Sequence, residues 1–520
     1  MREEDVVSKK ALLSLLVVSL IAAPGFAAAT APAPRGGTLI IADGVDATAG
    51  DAALFTDSPT AERFEHLCES LFGLTDDGKV QPELATSWAF SADGKRLTVN
   101  LRSGVKFHDG TPFNADAVKF NLERILDPAT RSFWRGVISP ITQVVVLNPS
   151  TVVLLFSAPF APVLANLPHS GLCMQSPTAI QTRGADYARS PVGTGPYRVK
   201  EWVRGDRFVL ARFDDYWGEK GTLDEIVWRV IPDDGARVAA VEAGTVHVAK
   251  RVPPLEVDRL RGNRALRVTV VASLRTIYIG FNVTKAPFNN KKVRQALNYA
   301  INKEAIVKAL LGGAARVSDA PITPGVVGYS PIMTYPYDLD RARQLLREAG
   351  FPTGLSAVFH HPTARYIRDA EIAAAVQGLL RRVGVNLELR TAEFATYVDL
   401  LGKPVNENTV QMYMLGWGTV TGDADYGLYS LFHSSNWAPS PNRSFYKNPQ
   451  VDSLLERARA ALDPAERDRL YRQAMEIIMD DAPWLFLHSE SQVTAFRADL
   501  QNIRMTPAER IVAGYAWFRR

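Results

Sequence analysis

LDRARQLLREAGFPTGLSAVFH, residues 339–360, decides the architecture. Ala342, Leu345, Leu346 and Ala349 fall on one face at helical spacing, with Asp338 placed as an N-cap and Gly350 as the stop. The strand-like LSAVFH (355–360) follows. The pattern then repeats. AEIAAAVQGLLRRVG (370–384) also ends on glycine and runs into VNLELR, where Val385, Leu387 and Leu389 alternate. Helix, glycine and strand, twice in succession, predict an α/β fold.

The same grammar extends outward. RLTVNLRSG (96–104) alternates Leu97, Val99 and Leu101 as a half-buried strand, and STVVLLF (150–156) reads as a buried one. NADAVKFNLERIL (114–126) predicts a helix capped by Asn114, and Asp463-Pro464-Ala465-Glu466 opens another with a cap, a first-turn proline and a glutamate. No solenoid repeat or low-complexity linker follows Pro34. A chain of 520 residues suggests two to four domains at about 100–200 residues each. Hydrophobic residues at 47% and charged residues at 22% are ordinary for a soluble globular protein. The net charge of +4 comes without a concentrated basic stripe, which argues against nucleic acid as a partner.

At the N-terminus, Lys9 and Lys10 precede the apolar run ALLSLLVVSLIAA (11–23), broken by Pro24 and Gly25 and followed by small residues. This is the layout of a secretory leader, expected over residues 1–29 with cleavage between Ala27 and Ala33. The run falls short of the about 20 residues a bilayer span needs. No cysteine follows it, so no lipid anchor is expected there. The expected mature protein is exported and periplasmic. An oxidising compartment permits a bridge between the two cysteines, Cys68 and Cys173, but two separate buried thiols fit the sequence equally well.

Signatures of catalysis are absent: there is no phosphate loop, no zinc-protease helix and no nucleophile elbow. GTGPYR (193–198) has Arg198 where a dinucleotide loop needs its third glycine, and reads as a tight turn before a strand. His360-His361 lacks a carboxylate at ligand spacing, and the acids around Asp423 do not match a calcium loop. The expectation is a protein without enzymatic activity, cofactor or metal.

Three long blocks carry a resemblance: PELATSWAFSADGKRLTVNLRSGVKFHDGTPFNADAVKFNLERI (82–125), SPVGTGPYRVKEWVRGDRFVLARFDDYWG (190–218) and YIGFNVTKAPFNNKKVRQALNYAINKEAIVKALLGG (278–313). In this order they resemble the extracytoplasmic solute-binding proteins of ABC importers, family 5, the peptide, nickel and glutathione group. TGDADYGLYSLFHSSNWAP and FYKNPQVDSLLERA are most similar to its glutathione-binding members. The resemblance implies a two-lobed periplasmic-binding-protein-like fold (type II) with an extra subdomain in the first lobe. The first lobe would take residues 35–72, 190–272 and 488–520, the extra subdomain 73–189 and the second lobe 273–487. It also implies a monomeric receptor that traps glutathione or a short peptide by hinge closure and delivers it to a membrane permease. The alternatives are another small solute such as an opine or a metal chelate, or an exported peptidase.

Site residues follow by the same analogy. Trp417 matches a tryptophan that lines the cleft in peptide-binding relatives. Three positions later those relatives carry an aspartate for the peptide's amino group, where this chain has Val420. Asp423 or Asp425 would then reach the amino group, or Thr419 and Thr421 would hydrogen-bond it, or the ligand has no amino group there. Ligand carboxylates call for arginine, whose planar fork binds both oxygens. Arg365, Arg368 and Arg275 are the candidates, with Tyr278 beside Arg275. Trp437 and Trp134 are candidate pocket walls.

Overall fold

The repeated helix–glycine–strand unit forms as the sequence predicts. The computed structural model describes residues 34–75, 79–333, 335–363, 365–392 and 394–519; the expected leader at 1–29 lies outside them. The helix Leu339–Glu348 starts where the Asp338 carboxylate accepts the Arg341 N–H at 2.8 Å, and it buries Ala342, Leu345 and Leu346. The strands Leu355–Pro362 and Val385–Ala392 pair in parallel along their whole length, Leu355 opposite Val385 through Pro362 opposite Ala392, joined by the helix Asp369–Arg381. Parallel neighbours need such a crossover. Asn114 and Asp463 cap their helices as read from the sequence.

These strands form one edge of an eleven-stranded mixed sheet. From that edge the order is Val385–Ala392, Leu355–Pro362, Met412–Gly418, Leu266–Phe281, Trp484–Arg497, Val248–Ala249, Thr38–Asp43, Glu225–Val230, Arg207–Arg212 and Tyr197–Val203. Ala315–Val317 pairs off this path with Trp484–Arg497. Within the sheet, Leu266–Phe281 and Trp484–Arg497, 16 and 14 residues long, carry every connection between the two halves. They run antiparallel from Leu266 opposite Arg497 to Ala272 opposite Ser491. Pairing then lapses and resumes at Thr276 opposite Ser489. The irregularity, Ser273–Arg275 facing Glu490, sits where the chain passes from one half to the other, and such bulges bend a strand.

A separate antiparallel sheet lies within the first half, in the order Ala85–Phe90, Arg96–Leu101, Thr151–Phe156 and Ile141–Asn148. With the helix Ala115–Leu126 it encloses a core that includes Leu97, Val99, Val118, Leu122, Val152 and Trp134. Cys68 and Cys173 are bridged, with Cα atoms 5.7 Å apart, which settles the pairing the sequence left open. The bridge fastens the end of the helix Ser58–Leu67 to this subdomain. GTGPYR is a close-approach turn: a Cβ on Gly195 would lie 2.7 Å from the backbone carbon of Leu67. Among the described residues no helix is long and apolar enough to cross a membrane.

Candidate functional site

Two walls, one from each half of the sheet, enclose a cavity of about 270 Å3. Pro232–Asp234, Arg237 and Arg251 line it from one side, and Thr363 with Arg365–Glu371 from the other. A recess of similar size at Arg267 and Leu500–Arg504 lies within one half only. Only the first of these two is bounded by residues of both halves.

Arg365 is 8% exposed, yet its guanidinium has no hydrogen-bond or ion-pair partner among the described residues. It lies over the Tyr366 ring at 4.8 Å and near Phe394 at 5.1 Å. Its backbone is fixed: the Asp369 carboxylate accepts the N–H groups of Arg365 and Tyr366 at 3.0 and 3.1 Å. Burial lowers the Arg365 pKa, and the nearby Arg275 and Arg251 cations lower it further. Glu509 and Glu490 act on this cation through space without hydrogen-bonding it, so its donors stay unmet, and unmet buried donors cost free energy. Arg368 also lines the cavity, at 3.0 Å from the Glu371 carboxylate, with a left-handed backbone (φ 57°).

Arg275 occupies the strand irregularity and is fully engaged. It donates to both Glu509 oxygens at 2.6 and 2.9 Å, to Ser58 Oγ at 3.0 Å and to the Gly416 carbonyl at 3.1 Å. It is a pin through the crossing point, with no donor pair left for a ligand. Glu490, opposite the irregularity, accepts the Ile367 N–H at 3.2 Å and a Gln492 N–H at 2.9 Å. Burial and the Glu509 charge push its carboxyl up to about 7.

The stretch from Gly416 to Tyr429 divides its roles. Trp417 packs at the seam, 5.1 Å from Tyr426 and 6.1 Å from Phe133 of the subdomain, and its buried indole N–H has no acceptor. The Tyr366 hydroxyl reaches the Gly416 carbonyl at 3.4 Å and so joins this seam to the cavity wall. The acids are committed elsewhere. Asp423 caps the helix Ala424–Phe432 and takes Arg467 on both oxygens at 2.9 Å; Asp425 meets Arg459 at 3.1 Å. Burial raises the Asp425 pKa to about 6. Thr421 Oγ1 accepts the Asp423 N–H at 3.4 Å inside the turn. Thus Asp423, Asp425 and Thr421 build the turn and its helix, and the two carboxylates are already paired.

The other aromatic candidates belong to packing. Tyr278 is a core residue, stacked on Trp484 at 3.5 Å. Trp134 has no exposed surface; its indole donates to the Phe55 carbonyl and its ring stacks on Tyr426 at 6.0 Å, closing the subdomain against the other half. Trp437 donates to the Tyr446 carbonyl at 2.8 Å and rests edge-on against Phe445, away from the cavity lining. Of the candidates, the structure therefore brings Arg365 and Arg368 to the cavity and Trp417 to its neighbouring seam. Sequence reasoning missed Arg237 and Arg251, which no local motif marks. Among the described residues no group of three or more His, Cys, Asp or Glu side chains is placed to hold a metal ion.

The family model for bacterial extracellular solute-binding proteins, family 5 Middle, matches residues 79–439. A glutathione-binding protein, GsiB, of Salmonella typhimurium is 35% identical over 497 residues, 94% of this chain and 96% of that protein. Among solved structures, the periplasmic binding protein DppA of Helicobacter pylori in complex with the peptide STSA superposes with a TM-score of 0.87 at 29% identity, covering 94% of this chain and 99% of that one. A dipeptide-binding protein of a Pseudoalteromonas species in complex with Met-Leu gives 0.86 at 25% identity, covering 93% and 100%.

Proposed function

The chain belongs to the family 5 bacterial extracellular solute-binding proteins, and from that premise we propose that it is the periplasmic receptor of an ABC importer for glutathione or a short peptide. One observation carries the reading: Arg365, buried and unpartnered, faces the cavity between the halves. A ligand carboxylate there completes a charge-assisted fork and removes the penalty of the unsatisfied donors. Because the two walls come from different halves, a ligand that touches both favours the closed arrangement by its differential affinity for it.

The crossing strands at Ser273–Arg275 serve as the hinge on this reading, with the first lobe taking 35–72, 190–272 and 488–520, the subdomain 73–189 and the second lobe 273–487. Trp417 forms an apolar wall next to the cavity. The leader directs the chain out of the cytoplasm, and the closed form docks on the permease as a monomer. The protein returns its ligand uncut.

Calorimetry on refolded, ligand-free protein tests this. Saturable binding of glutathione or of a di- to tetrapeptide is expected, with Arg365→Gln weakening it at least tenfold, about 1.4 kcal/mol. Mass spectrometry should recover the ligand intact. No binding by either ligand class overturns the proposal, and cleavage of the peptide replaces it with a peptidase.

A further inference from the structure

Arg251 faces the same cavity as Arg365 from the opposite wall, and its Nη1 is buried without a hydrogen-bond partner. Its other terminal nitrogen donates to Asp43, an acid that Lys250, at 3.4 Å, and Arg63, at 3.9 Å, also share. Lys250 is itself held by Glu62 at 2.5 Å, so Asp43 serves Arg251 through one terminal nitrogen while Nη1 is left without an acceptor. The backbone holds it in place. Arg251 has a left-handed φ of 52°, uncommon and costly for a residue with a side chain. Arg237 stabilises that kink by donating to the carbonyls of Lys250 and Arg251 at 3.0 and 3.2 Å, while also gripping those of Ile231 and Pro232 at 2.8 and 2.9 Å.

Glu509 and Glu490 act on both arginines through space, but Glu509 hydrogen-bonds Arg275 and Glu490 accepts from Ile367 and Gln492, so neither takes up the free donors. The acids lining the cavity are committed as well. Asp234 is on Arg237 and Glu371 is on Arg368. Asp233 accepts the Ala236 N–H at the start of the helix Asp234–Glu242, and Asp369 accepts backbone N–H groups on its own side. What remains is two guanidiniums with free donors, one on each wall.

We propose that Arg251 is a second anion-binding residue and that the ligand carries two carboxylates, one held by Arg365 and the other by Arg251, so that it ties the halves together. This rests on the receptor reading above and narrows its ligand class to dicarboxylates. Each guanidinium keeps unmet donors until a carboxylate reaches it, so a ligand with one carboxylate leaves one of the two unsatisfied. Recognition then runs through acids and does not require an aspartate at the position of Val420.

Calorimetry with three probes tests it: glutathione and alanyl-glutamate, with two carboxylates each, and alanyl-glutamine, which has one and nearly the same shape. Wild-type protein is expected to bind alanyl-glutamate at least tenfold tighter than alanyl-glutamine. Arg251→Gln is expected to abolish that preference by weakening glutathione and alanyl-glutamate at least tenfold, with alanyl-glutamine changed less than twofold. Lys250 and Arg63 still neutralise Asp43 in this variant, and the wild-type comparison needs no variant at all. Equal binding of the glutamate and glutamine probes by wild-type protein, or a preference that survives Arg251→Gln, overturns the dicarboxylate inference and leaves the receptor standing. No binding of these probes or of any di- to tetrapeptide sinks the receptor reading, and this inference with it.

Discussion

Replacing Arg275 with methionine strands Glu509. The wild-type guanidinium bridges three parts of the chain that are distant in sequence: it holds both Glu509 oxygens, Ser58 Oγ and the Gly416 carbonyl. Methionine fills much of the volume and supplies none of the donors. Glu509, 8% exposed, would be left beside Glu490 without the cation that hydrogen-bonds it, with Arg365 and Arg251 acting on it only through space. Breaking a buried pair from one side costs about 3–5 kcal/mol, a large part of the 5–15 kcal/mol typical of a folded protein. Urea unfolding followed by circular dichroism at neutral pH should show a loss of about 4 kcal/mol for Arg275→Met. The double variant Arg275→Met/Glu509→Gln should recover at least about 1.5 kcal/mol of it, because no charge is then stranded. The sign with pH is also fixed. Arg275 holds the Glu509 carboxyl below its ordinary range, so the stabilisation from the pair is present above pH 4.5 and fades as pH falls through the depressed value. The gap between wild type and variant should therefore narrow in acid. A single variant within about 1 kcal/mol of wild type, or a double variant no more stable than the single, would refute the pin.

Three further outcomes follow from the geometry. Cys68→Ser/Cys173→Ser opens a loop of 105 residues and should cost about 2–5 kcal/mol in urea unfolding; an unchanged midpoint would show that the bridge does not constrain the unfolded chain. Gly416→Ala would place a methyl 2.6 Å from Ile277 Cδ1 and 2.8 Å from Tyr366 Cε1, so a loss of about 1–3 kcal/mol is expected together with weaker ligand binding; full stability would mean that Tyr366 moves freely. Glu490 carries a carboxyl raised to about 7, so its folded form binds the proton more tightly than the unfolded chain and its contribution to stability declines as pH rises from about 4.5 through 7. Glu490→Gln should gain on wild type over that window, and a stability difference independent of pH would contradict the shift.

Local features of the fold were legible, and features made by distant chain segments were not. The unit at 339–390 could be read because helix period, cap and stop glycine all lie within a few residues of one another. Asp423, expected at the ligand's amino group, instead caps its own helix, and its acid is spent on Arg467. Arg275 looked like a free cation because its partner Glu509 lies 234 residues away. Arg251 carried no signal, since its exposure to the cavity depends on a left-handed backbone and on Arg237 reaching across from the helix Asp234–Glu242. The disulfide was undecidable for the same reason, because the approach of Cys68 to Cys173 is a property of the packed subdomain.

The most direct test of the account is a crystal structure of the protein grown with glutathione or with the peptide that calorimetry selects. A ligand carboxylate should lie within about 3 Å of the Arg365 guanidinium, inside the cavity that Arg237 and Arg251 close from the other half. A ligand bound elsewhere, with Arg365 still unpaired and the cavity filled only by water, would contradict it.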